Sequence, residues 1–159
     1  MAQTIAICNQ KGGVGKTTTA VNLAAALAAR DHSVLLVDLD PRGDLSQYLG
    51  INSEALEYSI YDALFDEDVA LSQIVLEVHI EGVSVAPATI DLSGAEILLL
   101  EEEGSSRHVF VRKCLESVDG EFDYILLDSP PGLQMLTISS LVAADAVLVP
   151  QQTSFMALH

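Results

Sequence analysis

Two lysines, three glycines and two threonines stand together in Lys11-Gly12-Gly13-Val14-Gly15-Lys16-Thr17-Thr18. Glycines at this spacing let the backbone curl until successive N–H groups point inward at an anion. Lys16 would then reach the β- and γ-phosphates of a nucleotide, and the Thr17 hydroxyl would be placed to ligate magnesium. Three aspartates could complete such a site: Asp38 after the apolar run Val34 to Val37, Asp40 two residues on, and Asp128 after Tyr124 to Leu127. Phosphoryl transfer needs a magnesium ion, neutralising cations and a group that orients the attacking water. A carboxylate that ends an apolar run, as Asp128 does, suits magnesium held through a water, because this ion gives up its hydration reluctantly.

Positioning these groups requires particular elements. Thr4 to Cys8 reads as a buried strand, and the alanine- and leucine-rich stretch from about Gly15 to Arg30 reads as a helix. The octet between them is then a strand–loop–helix connection, and the helix dipole adds positive potential at the loop. Val34 to Val37 follows as a second strand, closing a βαβ unit whose crossover should be right-handed. Further strands are expected at Val83–Ala86, Tyr124–Leu127 and Ala146–Val149; none alternates with polar residues, as befits a parallel sheet covered on both faces.

Helices are expected at Leu45–Leu49, after Ser59 (capped by Ser59 with Asp62), and at Leu71–Val75. Others are expected at Ser93–Glu103 with Ile97, Leu98 and Leu100 inward, at Ser106–Ser117 with Val109, Phe110, Cys114 and Leu115 on one face, and at Met135–Ala143. The pattern is α/β: a three-layer P-loop NTPase core with a mostly parallel sheet and helices on both faces, formed as a single domain over residues 1–159. In such sheets the ligand sits beyond the carboxyl ends of the strands, where the octet and the aspartates all fall.

The chain of 159 residues carries 7 basic and 23 acidic residues, a formal charge of −16. That field should repel nucleic acid and anionic lipid, although a phosphate loop supplies its own local positive potential. Cys8 and Cys114 fit no metal or redox spacing, and Cys8 is expected to be a small buried hydrophobe. No disulfide framework, secretory leader or membrane-length apolar run is visible, so a cytoplasmic protein without membrane attachment is expected.

The octet departs from the general phosphate loop in one respect. Gln10 stands where a glycine is usual, and the extra lysine, Lys11, opens the loop. This resembles the deviant phosphate loop of the ParA-type partition ATPases and their relatives, which include MinD and the nitrogenase iron protein. VLLVDLDPRGDLS (34–46), YILLDSPPG (124–132), Pro87-Ala88-Thr89 and SIYDAL (59–64) are similar to ParA-type segments as well, so the likeness runs along the whole chain. The iron-protein branch lacks support, because its paired cluster-ligand cysteine motifs are missing.

The resemblance implies an ATP-binding, magnesium-dependent ATPase switch that forms a homodimer on ATP and acts in chromosome or plasmid partitioning. A ParB-like stimulating partner goes with it. Lys11 would reach across the dimer to the partner's nucleotide, Lys16 would bind the β- and γ-phosphates, and Thr18 would lie near the α-phosphate. Gly12, Gly13, Val14 and Gly15 would supply the cradle, and Thr17 would hold magnesium with Asp128 and, farther out, Asp38. Asp40 would position the attacking water.

Family members continue for about another hundred residues, where DNA binding resides. Non-specific DNA binding is therefore expected of the intact family and is disfavoured for this acidic stretch. Two other functions stay open: a nucleotide- or partner-binding module without turnover, and a ParA-like ATPase that positions other cargo. Arg42 and Asp44 replace the family's glutamine and asparagine; Arg42 would contact phosphate, pair with Asp44 or face solvent.

Overall fold

The computed structural model describes residues 2–101 and 108–153. Strand β1 is Gln3–Ile7, followed by helix α1 (Lys16–Ala28), β2 (Val34–Asp38) and the short helix α2 (Asp44–Tyr48). Then come α3 (Ile60–Phe65), α4 (Leu71–Ile74), β3 (Leu76–Glu77) and β4 (Val83–Ala86). Helices α5 (Ala95–Glu101) and α6 (Phe110–Leu115), strand β5 (Tyr124–Asp128), α7 (Met135–Ala143) and β6 (Ala146–Leu148) complete the order, with 3₁₀ turns between some elements.

The strands form one six-stranded sheet in the order β3-β4-β2-β5-β1-β6. Every pairing is parallel except β3 with β4. The antiparallel two-residue strand β3 was not expected; so short a segment carries no readable alternation.

Alternate strand residues point to opposite faces, and both faces are covered. Val34, Leu36, Val83, Val85 and Leu126 pack on one side with Ala20, Val21 and Ala24 of α1 and Leu45 before Leu49. Leu35, Val37, Ala86, Ile125 and Leu127 pack on the other side with Ile60 and Leu64 of α3, Leu99 of α5, Val111 of α6 and Leu136 of α7. That double burial explains why β2 and β5 read as uninterrupted apolar runs. It also confirms the three-layer α/β arrangement.

The Ser59 cap forms as expected: its hydroxyl accepts the Tyr61 N–H, and Asp62 Oδ2 accepts the Ser59 N–H at 2.8 Å. The expected facing of α5 is overturned. Ala95 and Leu99 are its buried residues, whereas Ile97 is 63% and Leu100 62% exposed, with Leu98 at 38%. Glu96 sets this rotation, because its carboxylate accepts the Met135 and Leu136 N–H groups at 2.8 and 3.0 Å and so ties α5 to the start of α7.

In α6 the buried residues are Val111 and Leu115; Phe110 and Cys114 pack partly buried against the same core. Cys8 lies just past β1 and is half-buried rather than buried. Glu102, Glu103, Ser106 and Arg107 of the expected helices, and the segment 154–159, lie outside the described residues. Among the described residues no helix is long and apolar enough to cross a membrane.

Candidate functional site

The carboxyl ends of β1, β5 and β2 lie side by side, with Ile7 in register with Asp128 and Asp128 with Asp38. The loop after β1, Asp38 at the end of β2 and Asp128 at the end of β5 meet on this edge. The loop from β1 to α1 turns through Gly13 (φ 74°) and Gly15 (φ 96°), both in the left-handed region that side chains disfavour. Within the loop Asn9 Oδ1 accepts the Lys11 N–H at 2.9 Å; neighbouring segments tether it, with Gln10 O accepting the Gly132 N–H at 3.1 Å and Gly13 O accepting from Gln152 Nε2 at 3.1 Å.

Helix α1 starts at Gly15 with no side-chain cap and no acidic residue in its first turn. Its leading N–H groups and dipole are therefore left to an anion. Gly13, Gly15, Lys16, Thr17, Thr18, Asp40 and Arg42 line a cleft of about 200 Å³. Lys16 is buried as a residue and lines the cleft. Lys11 is exposed and does not line that cleft.

Thr17 Oγ1 donates to Asp128 Oδ2 at 2.7 Å. The other oxygen, Asp128 Oδ1, is buried and has no hydrogen-bond partner. Burial, opposed by the Thr17 bond and reinforced by the nearby Asp38 charge, raises the Asp128 carboxyl to about 7. A buried, partnerless carboxylate oxygen beside a threonine hydroxyl is a hard-oxygen donor set that fits magnesium, with the remaining positions left to water and phosphate oxygens. Among the described residues there is no cluster of three or more His, Cys, Asp or Glu that could hold a metal ion.

Asp38 is fully buried, and protein groups use both of its oxygens. Oδ2 accepts the Ser46 hydroxyl at 2.7 Å and its N–H at 2.9 Å, while Oδ1 accepts the Asp40 N–H at 3.2 Å. Burial outweighs these bonds and lifts its carboxyl to about 6. Asp38 thus pins the loop between β2 and α2 to the sheet edge. Ser46 was not singled out from the sequence; its only signal was a small polar residue near the start of a helix that follows an Asp-rich turn. It also accepts the Ala88 N–H at 3.1 Å, joining the ends of β2 and β4.

Asp40 to Gly43 forms a turn closed by Gly43 N–H on Asp40 O at 2.8 Å, with proline at the second position, where its fixed φ suits a turn. Arg42 pairs with both Asp40 and Asp44, at 2.9 and 3.0 Å. The Asp44 pairing is one of the three roles the sequence left open; the Asp40 pairing is additional.

A family described as "AAA domain" matches residues 2–159. The chain is 48% identical over 159 residues to the sporulation initiation inhibitor protein Soj of Bacillus subtilis (strain 168), covering 100% of this chain and 62% of that protein. It is 44% identical over 155 residues to the chromosome partitioning protein ParA of Myxococcus xanthus (strain DK1622), covering 98% of this chain and 54% of that protein.

Among solved structures, cobyrinic acid a,c-diamide synthase from Mycobacterium smegmatis with bound ADP and magnesium superimposes with a TM-score of 0.92 at 41% identity, covering 99% of this chain and 62% of that one. The chain thus spans somewhat more than half the length of the proteins it matches. A deviant phosphate loop opening the sheet, and a family match over residues 2–159, lead to one assignment: the chain belongs to this AAA-domain family, with Soj and ParA proteins among the relatives it resembles.

Proposed function

We propose that the chain binds ATP with magnesium, pairs face to face with a second copy, and hydrolyses the nucleotide as a switch in chromosome or plasmid partitioning. The observation that carries this reading is the pairing of Thr17, which lines the same cleft as Lys16, with a buried Asp128 whose second oxygen has no partner. The name of the Myxococcus xanthus relative adds the partitioning role, and the ADP- and magnesium-bound neighbour adds the ligand class.

In this reading the loop N–H groups and Lys16 hold the phosphates, while Thr17 and Asp128 hold the ion. When bound, magnesium neutralises charge on the phosphate oxygens as the terminal group departs. Asp40 orients the attacking water by accepting its hydrogen bond. Exposed Lys11 reaches the nucleotide of the second subunit, so the site is complete only in the pair. A ParB-like partner that speeds turnover belongs to the same proposal.

A second reading, binding without turnover, draws on a specific observation: Arg42 engages both oxygens of Asp40. Sedimentation and phosphate release separate the two. The ATPase switch gives ATP-dependent dimers and slow release, with Asp40→Ala keeping the dimers and losing the release, and Lys11→Ala losing the dimers. Phosphate release no faster than that of Asp40→Ala would sink the switch and leave the binding module.

A further inference from the structure

Arg42 occupies a singular place in the cleft. Its Nε and Nη2 donate to Asp40 Oδ2 at 3.3 and 2.9 Å, and Nε and the backbone N–H donate to Asp40 Oδ1 at 3.3 and 3.1 Å. Asp44 Oδ2 lies 3.0 Å from the same Nη2. The side chain of Arg42 is 60% exposed and that of Asp40 only 8%. Arg42 also lines the same cleft as Gly13, Lys16, Thr17 and Thr18. The residue assigned to orient water is thus held at both oxygens by a cation that faces the phosphate loop.

We propose that Arg42 is a positioning residue that reads the terminal phosphate of a nucleoside triphosphate, clamping Asp40 until that phosphate arrives and then exchanging Asp40 for it. The inference rests on the ATP reading above and adds a sensor to it. Only the Arg42 end of this pair is exposed, so water screens part of its attraction and the guanidinium can swing without leaving solvent. A terminal phosphate offers the planar guanidinium a bidentate, charge-assisted pair with more negative charge than one carboxylate. The exchange therefore runs toward phosphate, and it frees both Asp40 oxygens for water. A diphosphate lacks the third phosphoryl group that would reach Arg42 and leaves the clamp closed. Asp44 needs only a small displacement of the fork to remain a partner, so Arg42 moves on a tether.

Calorimetric titration of the chain with a non-hydrolysable ATP analogue and with ADP, both with magnesium, tests this in the wild type and in Arg42→Gln. The expected result is about a tenfold loss of affinity for the analogue, with ADP affinity held within about twofold, as removal of one charge-assisted phosphate contact would give. ADP binding by the variant serves as the control for an intact cleft. Loss of both ligands in parallel, or an unchanged analogue-to-ADP ratio, overturns the sensor and leaves the ATP reading standing. Failure of the wild type to bind either nucleotide overturns the ATP reading, and the sensor with it.

Discussion

Asp128→Asn separates the demands of the fold from those of the ion. In the wild type this carboxyl is raised from 3.8 to about 7, chiefly because it is buried. The shift is roughly 3 units, and at ~1.36 kcal/mol per unit the ionised form costs the folded chain about 4 kcal/mol at pH 8. An amide at this position keeps an acceptor for the Thr17 hydroxyl but places N–H donors where the partnerless Oδ1 stood; leaving them unsatisfied costs ~1–3 kcal/mol. The net effect at pH 8 is stabilisation of the nucleotide-free chain by about 1–3 kcal/mol, a rise in Tm of roughly 5 °C for a domain of this size.

The pH dependence has a definite sign. A carboxyl whose folded pKa exceeds its unfolded value binds more protons when folded, so wild-type stability falls as pH rises between about 4 and 7. At pH 4 the penalty has vanished, and Asp128→Asn retains only the cost of its unpaired N–H groups. Thermal unfolding at pH 4 and pH 8 should therefore show the variant gaining on the wild type as pH rises. The same substitution should abolish the extra stabilisation that magnesium gives in the presence of ADP. A variant less stable than wild type at pH 8, or a difference that ignores pH, would refute this reasoning.

Two further outcomes follow from the same edge of the sheet. Ser46→Ala removes the 2.7 Å donor to buried Asp38 and the acceptor of the Ala88 N–H, and should cost about 2–4 kcal/mol in urea unfolding at pH 8. Since the Asp38 carboxyl lies at about 6, the loss should shrink at pH 5, where that group is protonated and needs its donors less. Magnesium-dependent nucleotide affinity should weaken as pH drops below about 7, by up to about tenfold per unit, because the ion and a proton compete for Asp128; titrations at pH 6 and pH 8 in matched salt read this directly.

Most of the frame was legible because it rests on long signals. Strands β2 and β5 are buried on both faces, so Val34–Val37 and Tyr124–Leu127 could be read without knowing their neighbours. The phosphate loop was legible because its glycines, lysines and threonines do local work. Helix α5 was misjudged because Glu96-Ile97-Leu98-Leu99-Leu100-Glu101 offers apolar residues in more than one helical register. Its rotation is decided by Glu96 gripping the N-terminus of α7 about 40 residues away, and no local periodicity encodes that contact.

The site was legible in its parts and less so in its connections. Asp38 and Asp128 could be placed at neighbouring strand ends, and Thr17 beside the ion, yet the direct bond from Thr17 to Asp128 and the part played by Ser46 at Asp38 appear only once the chain has folded. Arg42 had several open roles for the same reason. A long, flexible cation two residues from one carboxylate and two from another is settled by turn geometry, and the turn from Asp40 to Gly43 brings both carboxylates within reach.

The most direct measurement is a calorimetric titration of ATP into the chain with and without magnesium, with Lys16→Ala alongside. One nucleotide bound per chain, tightened by magnesium and lost in Lys16→Ala, is the expected result. ATP binding that is indifferent to magnesium and survives Lys16→Ala would contradict the assignment of Lys16, Thr17 and Asp128 to a magnesium–nucleotide site.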